Sequence, residues 1–429
     1  MRKTTTRTLF VAVLLCIAFN LSAITYNIVV AKDGTGNYTT LQAAFNAVTD
    51  NNSSRTVIYI KNGTYKQVVT LKSTKKNVTI IGESRDGVIL TYDNYASKIN
   101  TSTGVAYGTS GSASNYIYGS GFYALNVTFQ NSAGAVGQAL AIYVDADKAV
   151  FKNCKFIGNQ DTYYGGRNRQ FFHDCYFEGT TDFLFGPSTS VFETCKLYTK
   201  GGSAITAAST ESYVTYGYVF LGCTVLGASG VSTCLGRPWG DYAATSYLNC
   251  SMTSVIKAVG WSDWGSTAKQ STARYSEYNN TGAGATLSSR PSWIKRLTAA
   301  QAANYTILNI FKTTYASSPV TDNWNPNDVI NNTKSAFEDD GRVMSEMSIP
   351  EVNIYPNPVV GENFYIELKN FETSQEVALQ IFSVQGKLVY QDNITGETIK
   401  NITKTLASGV YFVSVKTASK TFTQKIIVK

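Results

Sequence analysis

The chain has 429 residues, enough for a large core and for more than one domain. Its formal net charge is +8, and setting aside Arg2, Lys3 and Arg7 near the start leaves a modest +5, which suits weak attraction to an acidic polymer. No basic run with interleaved aromatics suggests a nucleic-acid partner, the cysteine spacings match no CxxC zinc pattern, and the single histidine, His173, leaves histidine-dependent nucleophiles little material.

Residues 1–23 read as a signal peptide: Arg2, Lys3 and Arg7, then the apolar run from Leu9 to Phe19, then small residues near Ala23. Cys16 leaves with that segment, so six of the seven cysteines remain. The mature chain opens with one helical pattern, Thr40 to Val48, in which Leu41, Ala44, Phe45 and Val48 share a face. A helix there suits the open end of a stacked β structure, which otherwise exposes strand edges and core. Residues 24–325 are otherwise β-rich, with short runs such as 56–60, 77–81 and 122–129 separated by Gly, Asn and Ser turns. A second helical stretch is expected over 298–307.

Within this region one phrase repeats. Asn153-Cys154-Lys155-Phe156 is followed by Gly158-Asn159-Gln160-Asp161-Thr162, and Asp174-Cys175-Tyr176-Phe177 by Gly179-Thr180-Thr181-Asp182-Phe183. Both the cysteines and the aspartates of these copies are 21 residues apart, and further copies begin at Cys195, Cys223 and Cys250. A period near twenty with short strands predicts a solenoid. If each copy is one turn of a parallel β-helix, Cys and the apolar residue two positions on form internal ladders, with mostly free thiols. Asp161 and Asp182 then stand one above the other, about 4.8 Å apart in strand spacing. Two carboxylates that close cannot both ionise cheaply, so one pKa must rise.

Residues 326–350, with Pro326, an Asn-rich stretch and Glu338-Asp339-Asp340, read as a linker. From 351 to 429 alternating strands at 364–368, 377–382, 410–415 and 422–428 read as a small Ig-like β-sandwich. Its ends, Ile354-Tyr355-Pro356-Asn357-Pro358, Ser408-Gly409-Val410-Tyr411-Phe412-Val413 and Lys425-Ile426-Ile427-Val428-Lys429, resemble the C-terminal sorting domain of the type IX secretion system. That resemblance implies export to the cell surface or beyond, with the secretion machinery as a partner.

The motifs of residues 24–325 also point to a family. Asn62-Gly63-Thr64-Tyr65, the run from Val127 to Gly134, Gly137-Gln138-Ala139-Leu140-Ala141, the two aspartate phrases, Leu235-Gly236-Arg237-Pro238-Trp239 and Gly260-Trp261-Ser262-Asp263-Trp264 together resemble pectin methylesterases. The resemblance implies an all-β chain whose catalytic part is a right-handed parallel β-helix. It implies hydrolysis of pectin methyl esters to pectate and methanol, by a monomer without metal or cofactor. It assigns Asp182 as nucleophile, Asp161 as general acid and then base, and Gln138 and Gln160 as oxyanion donors. Arg237 placed against Asp182 would hold it ionised and leave the proton to Asp161. Trp239, Tyr163 and Phe183 are candidate substrate-binding residues, with core packing the competing reading for the last two. Gln67 and Ala208 depart from the family pattern outside the proposed chemistry. Two other readings compete: a Ca²⁺-dependent pectate lyase, with the aspartates as ligands, and a non-catalytic glycan-binding solenoid.

Overall fold

A computed structural model describes residues 26–338 and 351–429, apart from 313, 316–317, 320–321, 370, 372–375, 396–398 and 418–420. The signal segment, Cys16 and the second half of the expected linker lie outside the described residues. Residues 28–296 wind into a parallel β-helix whose turns contribute to three sheets of eleven, eight and seven strands. Each strand pairs in parallel with its counterpart on the next turn, so the sequence period becomes the strand spacing. The repeat register is explicit in the eight-stranded sheet: Phe129, Phe156, Phe177, Leu197, Val225 and Met252 are successive partners.

Inside the coil these columns become stacks. Phe156 and Phe177 stack at 4.4 Å between ring centroids, and the eleven-stranded sheet supplies a parallel stack through Phe151, Phe172, Phe192, Phe220 and Tyr247 at 4.2–4.8 Å. Full burial of each such ring contributes about 1.5–3 kcal/mol, and regular stacking lets one solution serve every turn. Cys154, Cys175, Cys195, Cys223 and Cys250 form the adjoining column, all buried as free thiols. Each sulfur donates to two carbonyls, for Cys175 those of Phe151 and His173. The residue before each of these cysteines turns the corner between sheets with positive φ: Asn153, Asp174, Thr194, Gly222 and Asn249. Asn and Asp tolerate this left-handed conformation best among residues with a Cβ.

The same corner explains a break in the expected run 122–129. Asn126 has φ 57°, so the run divides into Tyr123–Leu125 and Thr128–Asn131 in different sheets. The first helix, Leu41–Ala47, is capped by the Thr40 side chain and buries Leu41, Ala44 and Phe45 over the first turns. The second helical stretch is two short helices, Ala299–Ala302 and Ile307–Phe311. The first half of the expected linker is itself a helix, Pro326–Glu338, whose Ile330 is buried against the eleven-stranded sheet with Phe311 and Phe171. Arg169 fixes this strap to the coil, holding both Asp147 and Asp322 and lying over Trp324.

Residues 351–429 form two antiparallel sheets of three and four strands around a separate core. Strands Asn363–Lys369, Val377–Ser383, Gly409–Lys416 and Thr421–Val428 match the four expected, joined by Glu351–Tyr355, Leu388–Ile394 and Ile399–Thr403. Tyr355 and Tyr365 pack on Tyr176 and Tyr198, which face outward from the eight-stranded sheet.

Candidate active site

Asp161 and Asp182 lie at the entrance to neighbouring strands of the seven-stranded sheet, Tyr163–Gly165 and Leu184–Gly186, whose register aligns Tyr163 with Leu184. The two aspartates therefore occupy equivalent places on adjacent turns. Both have left-handed backbone, φ 64° and 54°. Glycine three residues earlier makes this turn possible: a Cβ on Gly179 would lie 2.2 Å from that of Phe183, and one on Gly158 would meet the Thr162 side chain. Thr162 and Phe183 thus fold inward, and the two aspartates beside them are themselves largely buried.

Arg237 follows the strand Cys234–Gly236 and reaches Asp182 through two parallel hydrogen bonds, Nε to Oδ1 at 2.9 Å and one terminal nitrogen to Oδ2 at 2.6 Å. Trp264 covers the guanidinium, its ring centroid 3.7 Å from Cζ. Burial pushes the Asp182 carboxyl above its ordinary range, while the hydrogen bonds and charge of Arg237 oppose that rise. Among the described residues Asp161 has no such partner. Burial pushes it up to about 7, the Asp182 charge adds to the rise, and Arg237 only partly opposes it. Both carboxylates are desolvated, and a bidentate cation on only one of them gives the pair unequal affinities for a proton.

Gln138 and Gln160 pair in parallel on adjacent turns beside the aspartates. Both are half-buried, and among the described residues no hydrogen bond occupies their side-chain amides. Trp239 is 47% exposed and lies 5.9 Å from Phe185 between ring centroids. An aromatic track continues from Phe185 to Tyr164 at 5.1 Å and to Tyr143 at 4.5 Å.

Two expected substrate contacts are corrected. Tyr163 is fully buried, edge-on to Phe172, Phe177 and Phe192, with its hydroxyl held by Gln170 and Ser190. Phe183 is also fully buried. On the strands Tyr164 and Phe185 take the outer face, while the residues just before them, Tyr163 and Leu184, are buried, as a period of two requires. Phe183 lies just before its strand, level with Thr162, and the turn after Asp182 carries it inward. Trp264 gives no signal beyond its motif, because its contact with Arg237 is made from the next turn of the coil. His173 lies on the outside of the eleven-stranded sheet, paired with Glu193 at 2.8 Å.

The fold and site define a class: a parallel β-helix with an arginine-polarised carboxylate pair in an aromatic groove. The pectinesterase family profile matches residues 27–314, and the chain belongs to the pectinesterase family, a family of carboxylic ester hydrolases. Pectinesterase 31 of Arabidopsis thaliana is 39% identical over 283 residues, covering 64% of this chain and 89% of that protein. Other plant relatives are longer, and the chain spans about half of their length. Pectin methylesterase from carrot superposes with a TM-score of 0.63 at 34% identity, covering 67% of this chain and 93% of that one. A pectin methylesterase solved in complex with a hexasaccharide gives 0.60 at 31% identity, over 71% of this chain and 99% of that one. Residues 353–429 match the secretion system C-terminal sorting domain, which marks the chain for secretion.

Proposed function

We propose that the chain hydrolyses methyl esters of pectin through a covalent intermediate on Asp182. The observation that carries this reading is the bidentate Arg237–Asp182 pair beside the buried carboxyl of Asp161, which burial and the Asp182 charge push up to about 7. Asp182 attacks the ester carbonyl carbon. Gln138 and Gln160 donate to the oxyanion that forms, each such donor being worth about 3–4 kcal/mol in comparable sites. As the tetrahedral intermediate collapses, the methoxy group leaves with the proton of Asp161, giving methanol and a mixed anhydride on Asp182. Asp161, now ionised, takes a proton from water. The hydroxide attacks the anhydride, releasing a galacturonate carboxylate and free Asp182. Trp239, Phe185 and Tyr164 offer apolar faces to the sugar rings.

Methanol release from methylated pectin tests the reading, with Asp182→Asn beside the wild type and hydroxylamine to trap the anhydride. Loss of release in the variant supports it, and a near wild-type rate overturns the covalent assignment. Activity that persists in EDTA separates this reading from the lyase. The guanidinium already beside Asp182 disfavours a cation in the carboxylate pair. We assign the catalytic unit to residues 24–325, acting as a monomer, and the sorting domain to 351–429. Export follows removal of residues 1–23 and engages the type IX machinery. The tyrosines that seat the sorting domain are on the eight-stranded sheet, away from the aromatic groove. Deletion of 351–429 therefore leaves methanol release by the purified protein intact and traps the chain inside its native host; normal secretion of the truncated chain contradicts the assignment.

A further inference from the structure

The aromatic track leads from the aspartates into a cavity of about 460 Å³ lined by Tyr143, Asp145, Tyr164, Arg167, Glu211 and Trp239. Its charges are unusual for a groove that holds an acidic polymer. Asp145 lies two residues beyond Tyr143, in the register position whose neighbour on the next turn is Gly166. A Cβ on Gly166 would sit 2.2 Å from the Asp145 carboxylate, so glycine there leaves the space that the carboxylate fills. Asn168 donates to Asp145 Oδ1 at 2.8 Å. Among the described residues no cation pairs with Asp145, because the nearby Arg167 is engaged by Glu211. The groove charge here is therefore two carboxylates against one guanidinium. Burial raises the hydroxyls of Tyr143 and Tyr164, and of Tyr118 next to Tyr143, and the Asp145 charge adds to each, so its field reaches two rings of the track and one beside it.

We infer that Asp145 determines specificity by selecting a methyl-esterified, uncharged uronate for the sugar position over Tyr143 and Tyr164. This rests on the pectin esterase reading and adds which neighbours of the reacting unit are accepted. A free galacturonate brings its carboxylate toward an unpaired one at restricted dielectric, whereas the methyl ester brings none. The enzyme then works best within fully esterified blocks and slows as its own product accumulates around it.

The test compares kcat/KM for methanol release on highly esterified pectin and on pectin de-esterified in part by alkali. For Asp145→Asn the ratio of the partly to the highly esterified substrate rises about three- to tenfold over wild type, the size expected for one screened charge repulsion. Asp145→Glu keeps the charge and the wild-type ratio. Arg167→Gln frees Glu211 and moves the ratio the opposite way. Added salt narrows the wild-type discrimination and leaves that of Asp145→Asn nearly unchanged. A ratio that is unchanged in Asp145→Asn, or that falls, overturns the proposal, the latter pointing to a hydroxyl contact instead. Failure of the wild type to release methanol from either substrate would reject the esterase reading itself.

Discussion

The turn carrying Asp161 and the turn carrying Asp182 share nearly everything except one partner. Both have glycine three residues before the aspartate, a left-handed aspartate and an inward residue after it. Both carboxylates are buried to a similar degree, at 7% and 5% exposure. Arg237 binds only the second. Repetition thus supplies two equivalent carboxylates, and a residue from a later turn sets them apart. The asymmetry of the pair needs a single side chain added to a symmetrical scaffold.

Breaking the charged member has the largest effect. Asp182→Asn keeps the left-handed turn, which Asn tolerates, and removes the attacking charge, so kcat falls by several orders of magnitude while pectin binding persists. This is read by methanol release beside a pectin-binding assay. Asp161→Asn follows with a loss of about 10²–10⁴-fold in kcat, the usual contribution of a positioned acid and base. Arg237→Lys retains charge but loses the two-point geometry, and kcat/KM drops by roughly one to two orders of magnitude. Next is the pH profile of kcat/KM. Asp182 must be ionised and Asp161 protonated, so the alkaline limb has its midpoint near the Asp161 value of about 7. Its acid limb lies above the ordinary carboxylate range because Asp182 is raised. A profile that rises steadily through pH 8 to about 9 would contradict the assigned acid.

The smallest effect is on stability. The folded state binds the Asp161 proton more tightly than the unfolded chain, so this group's contribution is lost as pH rises from about 4 to about 7. Asp161→Asn is therefore more stable than wild type above that window, by roughly a few degrees in thermal melts at about pH 8. The difference vanishes near pH 4.

What the chain revealed before its structure follows from periodicity. The Cys–x–Phe phrase places residues on turns, and the turn fixes which side chains stack, so the coil, the free thiols and the stacked aspartates were all legible. Arg237 and Trp239 were legible through their motif. Face was harder than register. Tyr163 and Phe183 both read as rings for a sugar, yet the turn after Asp182 carries Phe183 inward and strand alternation buries Tyr163, which leaves Tyr164 and Phe185 outside. Side-chain contacts outside the repeat were silent too: Trp264 on Arg237 and Arg169 tying Asp322 to the coil, together with the helix within the expected linker.

The cysteine column has a consequence beyond packing. Cys154, Cys175, Cys195, Cys223, Cys234 and Cys250 are all unpaired and at most 4% exposed. The coil can therefore reach its final form in a reducing compartment and keep it in an oxidising one, with no disulfide among these cysteines to form on the way. Five of these thiols line the coil at successive turns, so alkylation under mild denaturant would record, residue by residue, which end of the solenoid opens first.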